Sequence, residues 1–175
     1  MKRYTYLLPL ALLAAGCDGG DDDDPAAGGI EGRWTLTDYQ LTQESLDEDI
    51  PFTVESVLTS GDFAVEFAAD GSYTQEGIVT LLSRGESEGE DLGSQTYVQN
   101  WSRDGTYEVA DGEITGVVFV LDPNFPEFSK PANAYEVDNA ADELILRYET
   151  IGTTIVNYTE VVDFEVEIEV FFERE

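Results

Sequence analysis

The stretch VDFEVEIEVFFERE (162–175) decides the fold class. Phe164, Val166, Ile168, Val170 and Phe172 fall on one face of an extended chain, and Asp163, Glu165, Glu167, Glu169 and Glu173 on the other. Successive side chains of a strand point to opposite faces, so this period of two reads as a strand with one buried and one wetted side. Glu165, Glu167 and Glu169 lie about 7 Å apart along one strand face, so a metal would need further ligands from a neighbouring strand. A solvated outer face is the expectation, and such charge also discourages edge-to-edge aggregation.

The same rhythm extends back through the chain. AYEV (134–137), ELILRYE (143–149) and TTIVNYTE (153–160) precede it at short intervals. DFAVEFAA (62–69) and SYTQEGIVTLL (72–82) flank Asp70-Gly71, and an Asp-Gly pair between alternating runs is a strong hairpin signal. The pair recurs at Asp104-Gly105, between QTYVQNW (95–101) and TYEV (106–109), and at Asp111-Gly112, before EITGVVFVL (113–121). No long stretch has a helical period. Three segments break the pattern. Residues 42–61 read as a loop carrying one helical turn. Residues 83–94, rich in Gly, Ser and Glu, read as a mobile loop. Residues 122–133, DPNFPEFSKPAN, read as an aromatic loop that either folds over one end of the core or contacts a partner. Short strands joined by tight turns predict an antiparallel all-β domain over 30–175, either a barrel or a β-sandwich.

The N-terminal end has a different character. Lys2 and Arg3 precede an apolar run from Leu7 to Ala15 that is too short to span a bilayer, which takes about 20 residues. Ala14-Ala15-Gly16-Cys17 resembles the lipobox of bacterial lipoproteins. That resemblance implies a signal peptide over 1–16, cleavage before Cys17, and a membrane anchor of acyl chains such as palmitate on that cysteine. Cys17 is the only cysteine, so an intrachain disulfide is excluded. Several acyl chains hold far more firmly than one. DGGDDDDPAAGG (18–29) carries no large apolar side chain, so 17–29 reads as an acidic, flexible tether. The expected location is the cell envelope, on the periplasmic or surface-exposed side of the outer membrane.

Charge and composition exclude several functions. Removing 1–16 takes away Lys2 and Arg3 but no acid, leaving 6 basic against 38 acidic side chains, a net charge of −32. Such a chain cannot neutralise nucleic-acid phosphates. It has no histidine, and its one cysteine is assigned to lipid. No phosphate loop, Gly-x-Ser-x-Gly elbow or zinc-ligand spacing is present. No catalytic residue, metal site or cofactor is therefore assigned.

IEGRWTLTDYQL (30–41), FAADGSYT (67–74), DGTYEVADGEI (104–114) and ELILRY (143–148) are similar in kind and order to the lipocalin-like families, which include small bacterial lipoproteins. The resemblance implies an up-and-down barrel of about eight strands, with Gly32 and Trp34 at its floor. It also implies an arginine from a late strand over the indole: Arg147 first, Arg174 second. Thr37-Asp38-Tyr39 belongs to the first strand. Phe63, Val65, Phe67, Trp101, Tyr107, Val109, Leu144 and Leu146 would line the interior, and the same residues would serve to fill a small barrel. Gly77 and Gly116 are the small inward residues that would hint at a cavity. Two functions are expected: a small apolar or amphipathic ligand held in the barrel, or an envelope protein partner gripped by loops around a filled core.

Overall fold

The computed structural model describes residues 29–121, 134–140, 142–156 and 160–175. The expected signal segment, Cys17, most of the expected tether and the expected loop at 122–133 lie outside these residues. The described chain forms one antiparallel sheet of nine strands. In chain order these are β1 (Gly32–Ser45), β2 (Phe52–Phe67), β3 (Ser72–Ser87), β4 (Glu90–Thr106), β5 (Glu108–Ala110), β6 (Glu113–Thr115), β7 (Tyr135–Ala140), β8 (Glu143–Val156) and β9 (Glu160–Arg174).

The spatial order β4-β3-β2-β1-β9-β8-β7-β6-β5 pairs every strand with its neighbour in sequence except at two places. β9 pairs with β1, joining the two ends of the fold. β4 and β5, consecutive in the chain, form opposite edges of the sheet. The meander is thus the expected up-and-down path, but it is not closed into a barrel. The two edges meet only where the chain passes from Thr106 to Glu108. A single sheet also differs from the two separate sheets of a sandwich.

The turns obey local chemistry. Asp70 accepts hydrogen bonds from the backbone N–H and hydroxyl of Ser72, and these hold its carboxyl below the ordinary carboxylate range. Asp111 and Gly112 both have positive φ, as a two-residue hairpin of the favoured twist requires. Glu88 and Gly89 do the same between β3 and β4, so residues 83–94 form a hairpin and not a mobile loop. The expected loop at 42–61 is likewise strand at both ends, and only 46–51 turn. Asp104-Gly105 is no turn. It lies inside β4, opposite Thr74 and Tyr73, and a Cβ on Gly105 would stand 2.8 Å from the Tyr73 ring. The two runs at 143–149 and 153–160 fall largely within one strand, β8.

β9 buries the side predicted from its alternation: Phe164, Val166, Ile168, Val170 and Phe172 are all buried. They face Trp34, Tyr39, Leu41, Phe63, Val65, Phe67, Leu144 and Leu146 in one core. The opposite face carries carboxylates in direct register, Glu44 against Glu165 and Glu149 against Glu167.

Candidate functional site

The concave side of the sheet is where a barrel would hold a ligand. It is occupied by the chain itself. After β6, residues 116–121 leave the ladder, and Val117, Phe119, Val120 and Leu121 are buried. A run that is apolar at successive positions cannot keep one side in water, so it goes inside. Its backbone polar groups then need partners, and side chains from three strands supply them. The Tyr73 hydroxyl donates to Gly116 O at 3.3 Å, and Gln75 Nε2 donates to Val118 O at 3.2 Å. Phe119 N donates to the Tyr135 hydroxyl at 2.9 Å, and Leu121 N donates to the Tyr39 hydroxyl at 3.3 Å. The Phe119 ring packs edge-on against Tyr135 and Phe172, with centroids 5.7 and 5.3 Å apart.

The two inward glycines mark close contact, not a cavity. A Cβ on Gly116, whose φ is +85°, would lie 2.2 Å from Thr106 O; one on Gly77 would lie 2.0 Å from Asp62 O. Gly116 thereby lets the inner segment start against the backbone of Thr106 and Tyr107.

All eight proposed lining residues belong to the inward side. Phe63, Val65, Phe67, Leu144 and Leu146 are fully buried, while Trp101, Tyr107 and Val109 are half-buried and packed against the core. Tyr107 closes the lower end, its hydroxyl donating to Ala68 O at 2.9 Å and its ring edge-on to Phe67. Among the described residues, Trp101 Nε1 and Gln75 Oε1 are buried without a hydrogen-bond partner. Their positions are diagonal neighbours across the β3–β4 ladder, since Gln75 pairs with Arg103 and Gly77 with Trp101.

At the floor, Trp34 is fully buried and its indole N–H donates to Ile30 O at 2.6 Å. Arg174, and not Arg147, covers the ring, with Cζ 4.5 Å from the centroid. The reason is strand parity. Leu144 and Leu146 point inward, so Arg147 points outward, where its Nε donates to Glu169 at 2.9 Å and NH1 pairs with Asp138. The bond to Glu169 raises the Arg147 pKa above its ordinary value. Gly32 stands at φ +123°, a conformation that suits a residue without Cβ, at the entry to β1.

Sequence reasoning missed Tyr39, Tyr73, Gln75 and Tyr135 as the frame around the inner segment. One signal was available: Gln75 occupies an inward position in the alternation Tyr73, Gln75, Gly77, Val79, Leu81, where an unpaired amide would be costly.

A cleft of about 520 Å³ lies among Thr53, Glu55, Arg84, Gly85, Glu86 and Asp91. A smaller one of about 210 Å³ lies beside Ile30, Ala69, Tyr107 and Val109. Among the described residues no group of three or more potential metal ligands converges, and no helix is long and apolar enough to cross a membrane.

A last feature is on the outside. Val57, Ile78, Leu82 and Val98 share the convex face of β2, β3 and β4, as their cross-strand partners Gln40, Asn100 and Thr96 do. Val57, Ile78 and Val98 are 38%, 49% and 66% exposed.

No family model matches the chain, and no curated protein or solved structure matches it.

Proposed function

We propose that this chain is a lipid-anchored cell-envelope protein whose β domain works through its surface, holding a protein partner, and does not enclose a small apolar ligand. The observation that carries this reading is the inner segment. Residues 116–121 fill the concave side with their own apolar side chains and are held there by four side-chain hydrogen bonds. A ligand would have to displace buried Phe119 and leave buried N–H and C=O groups unpaired, each at a cost of about 1–3 kcal/mol. The anchor rests on Ala14-Ala15-Gly16-Cys17 and on the uncharged-to-acidic change immediately after it.

Native mass spectrometry of the mature chain, extracted in detergent from its own host, tests the filled interior. The expected mass is that of protein plus the acyl groups on Cys17. A further discrete mass lost on denaturation would restore the ligand reading, which draws on Trp101 Nε1 and Gln75 Oε1. Those two groups would be satisfied together by a water or by a ligand hydroxyl, which both donates and accepts. The anchor is tested separately: labelled palmitate should enter the wild-type chain and not the Cys17→Ala variant.

A further inference from the structure

The outermost long strand of this sheet is its least protected. β4 runs for 17 residues at the edge, and none of its side chains is buried. Among the described residues only β3 pairs with it. Edge strands in stable monomers are usually short, bulged, or studded with charge, because an open row of N–H and C=O groups templates another strand. β4 is bulged only near its start, at Leu92, and has its charges at the ends, Glu90 and Asp91 at one and Arg103 and Asp104 at the other. Between them LGSQTYVQNWS (92–102) carries none.

This neutral stretch is at odds with the rest of the surface. The chain has a net charge of −30, and the outward faces of β1, β2, β3, β8 and β9 all present carboxylates, among them Glu44, Glu55, Glu76, Glu149 and Glu167. Two copies brought together over those faces would set acid against acid. Over the middle of β4, residues 92–102, they would not.

We infer that β4 is the interface between two copies of this chain, paired antiparallel about a two-fold axis near Tyr97. This rests on the surface-acting reading above and names the partner. An antiparallel strand is complementary to itself, which is the geometry of a closed two-fold dimer. Tyr97 is the midpoint of 92–102, so pairing there keeps the neutral stretches opposite one another. In that register Arg103 of each strand falls opposite Asp91 of the other, an attraction formed twice, while Asp104 falls opposite Glu90. Thr96 of one copy meets Val98 of its partner on the convex side. The apolar patches of Val57, Ile78, Leu82 and Val98 thereby become one continuous face.

Cysteine crosslinking in membranes from cells expressing the full chain tests this, with the wild type and its single Cys17 as background. Thr96→Cys, Tyr97→Cys and Val98→Cys are oxidised in parallel. The expected result is a disulfide-linked dimer that peaks at one of the three, while Glu167→Cys on the acidic face stays monomeric. Adding Val98→Glu, an exposed position that leaves the core untouched, to the best of the other two positions should cut the crosslinked fraction about tenfold by setting like charges at the strand pair. Monomer at all three positions overturns the dimer, as does equal crosslinking at position 167 or indifference to Val98→Glu. Failure here with a bare mass in the ligand experiment removes the second copy but leaves the surface reading intact. A ligand mass removes the surface reading itself.

Discussion

Arg174 lies over the indole of Trp34, 4.5 Å from Cζ to ring centroid, and its guanidinium also donates to Gly29 O. One side chain of the last strand thus clamps both the first strand and the segment leading into it. Replacing Arg174 by Met keeps the stem and removes the charge, and should cost about 0.5–2 kcal/mol, the range for cation–π contacts. Arg147→Met removes only ion pairs between half-exposed groups, worth about 0–1 kcal/mol. Urea unfolding monitored by tryptophan fluorescence separates the two. Equal losses would mean that the floor contact contributes nothing special.

The inner segment depends on acceptors that its own ladder does not supply. Tyr135→Phe keeps the ring against Phe119 but strands the Phe119 N–H in the core, at about 1–3 kcal/mol. Tyr39→Phe does the same to Leu121 N. Phe119→Ala should be worse, about 3–5 kcal/mol, the range for emptying a buried aromatic site. Denaturant midpoints measure all three. A Phe119→Ala variant as stable as wild type would show that the segment is not packed where it is described.

Two tyrosines make the fold sensitive to alkali. Burial raises the pKa of Tyr73 above its ordinary value of 10.0, and it does the same for Tyr107, where Glu31 and Asp70 add to the rise. A folded-state pKa above the unfolded one means that the stabilisation is complete below about pH 10 and is lost as pH climbs through the folded values. Absorbance at 295 nm should therefore show late-titrating tyrosines whose ionisation coincides with loss of near-UV circular dichroism, and Tyr73→Phe should reduce the late fraction. Titration of all the tyrosines together at the ordinary value would contradict this.

The acidic convex face predicts a response to salt. Glu149 stands opposite Glu167, and Glu44 opposite Glu165. Like charges directly across strands repel, and ions screen exposed charge over about 10 Å at 0.1 M salt. The melting temperature should rise with sodium chloride. Glu167→Lys should stabilise the low-salt protein by about 0.2–1 kcal/mol and flatten that rise. A melting temperature independent of salt would mean that these carboxylates are held apart by more than the register suggests.

The alternation that identifies β9 also made most of β1 and the parts of β2 and β3 that flank Asp70-Gly71 readable, because a sheet with one wet face must write its burial into a period of two. The hairpins at Asp70-Gly71 and Asp111-Gly112 were equally plain. Asp104-Gly105 was not, since a glycine that makes room for a ring looks the same in sequence as one that turns the chain. Glu88-Gly89 was overlooked for the converse reason: its polar flanks resemble a loop, yet they are wetted on both sides of a strand pair. The closed barrel failed at the segment after β6. VVFVL reads as another strand, and nothing local says that it leaves the ladder to be bonded by Tyr39, Tyr73, Gln75 and Tyr135, residues from 43 to 82 positions away in three of the four contacts. The identity of the arginine over Trp34 was legible in principle, because parity alone turns Arg147 outward once Leu144 and Leu146 are placed inside.

The position of β9 between β1 and β8 has a consequence for how the molecule is made. Trp34 pairs with Arg174 in the central ladder, so the sheet is joined by a contact between residues far apart in sequence, of the kind that forms slowly. Until residues 160–174 have left the ribosome, β1 has an open side and the core lacks Phe164 to Phe172. A chain built this way cannot complete its core until its last strand has been synthesised. For a protein read as threading through an export channel before it is lipidated, that delay keeps it competent for translocation without a dedicated unfolding step.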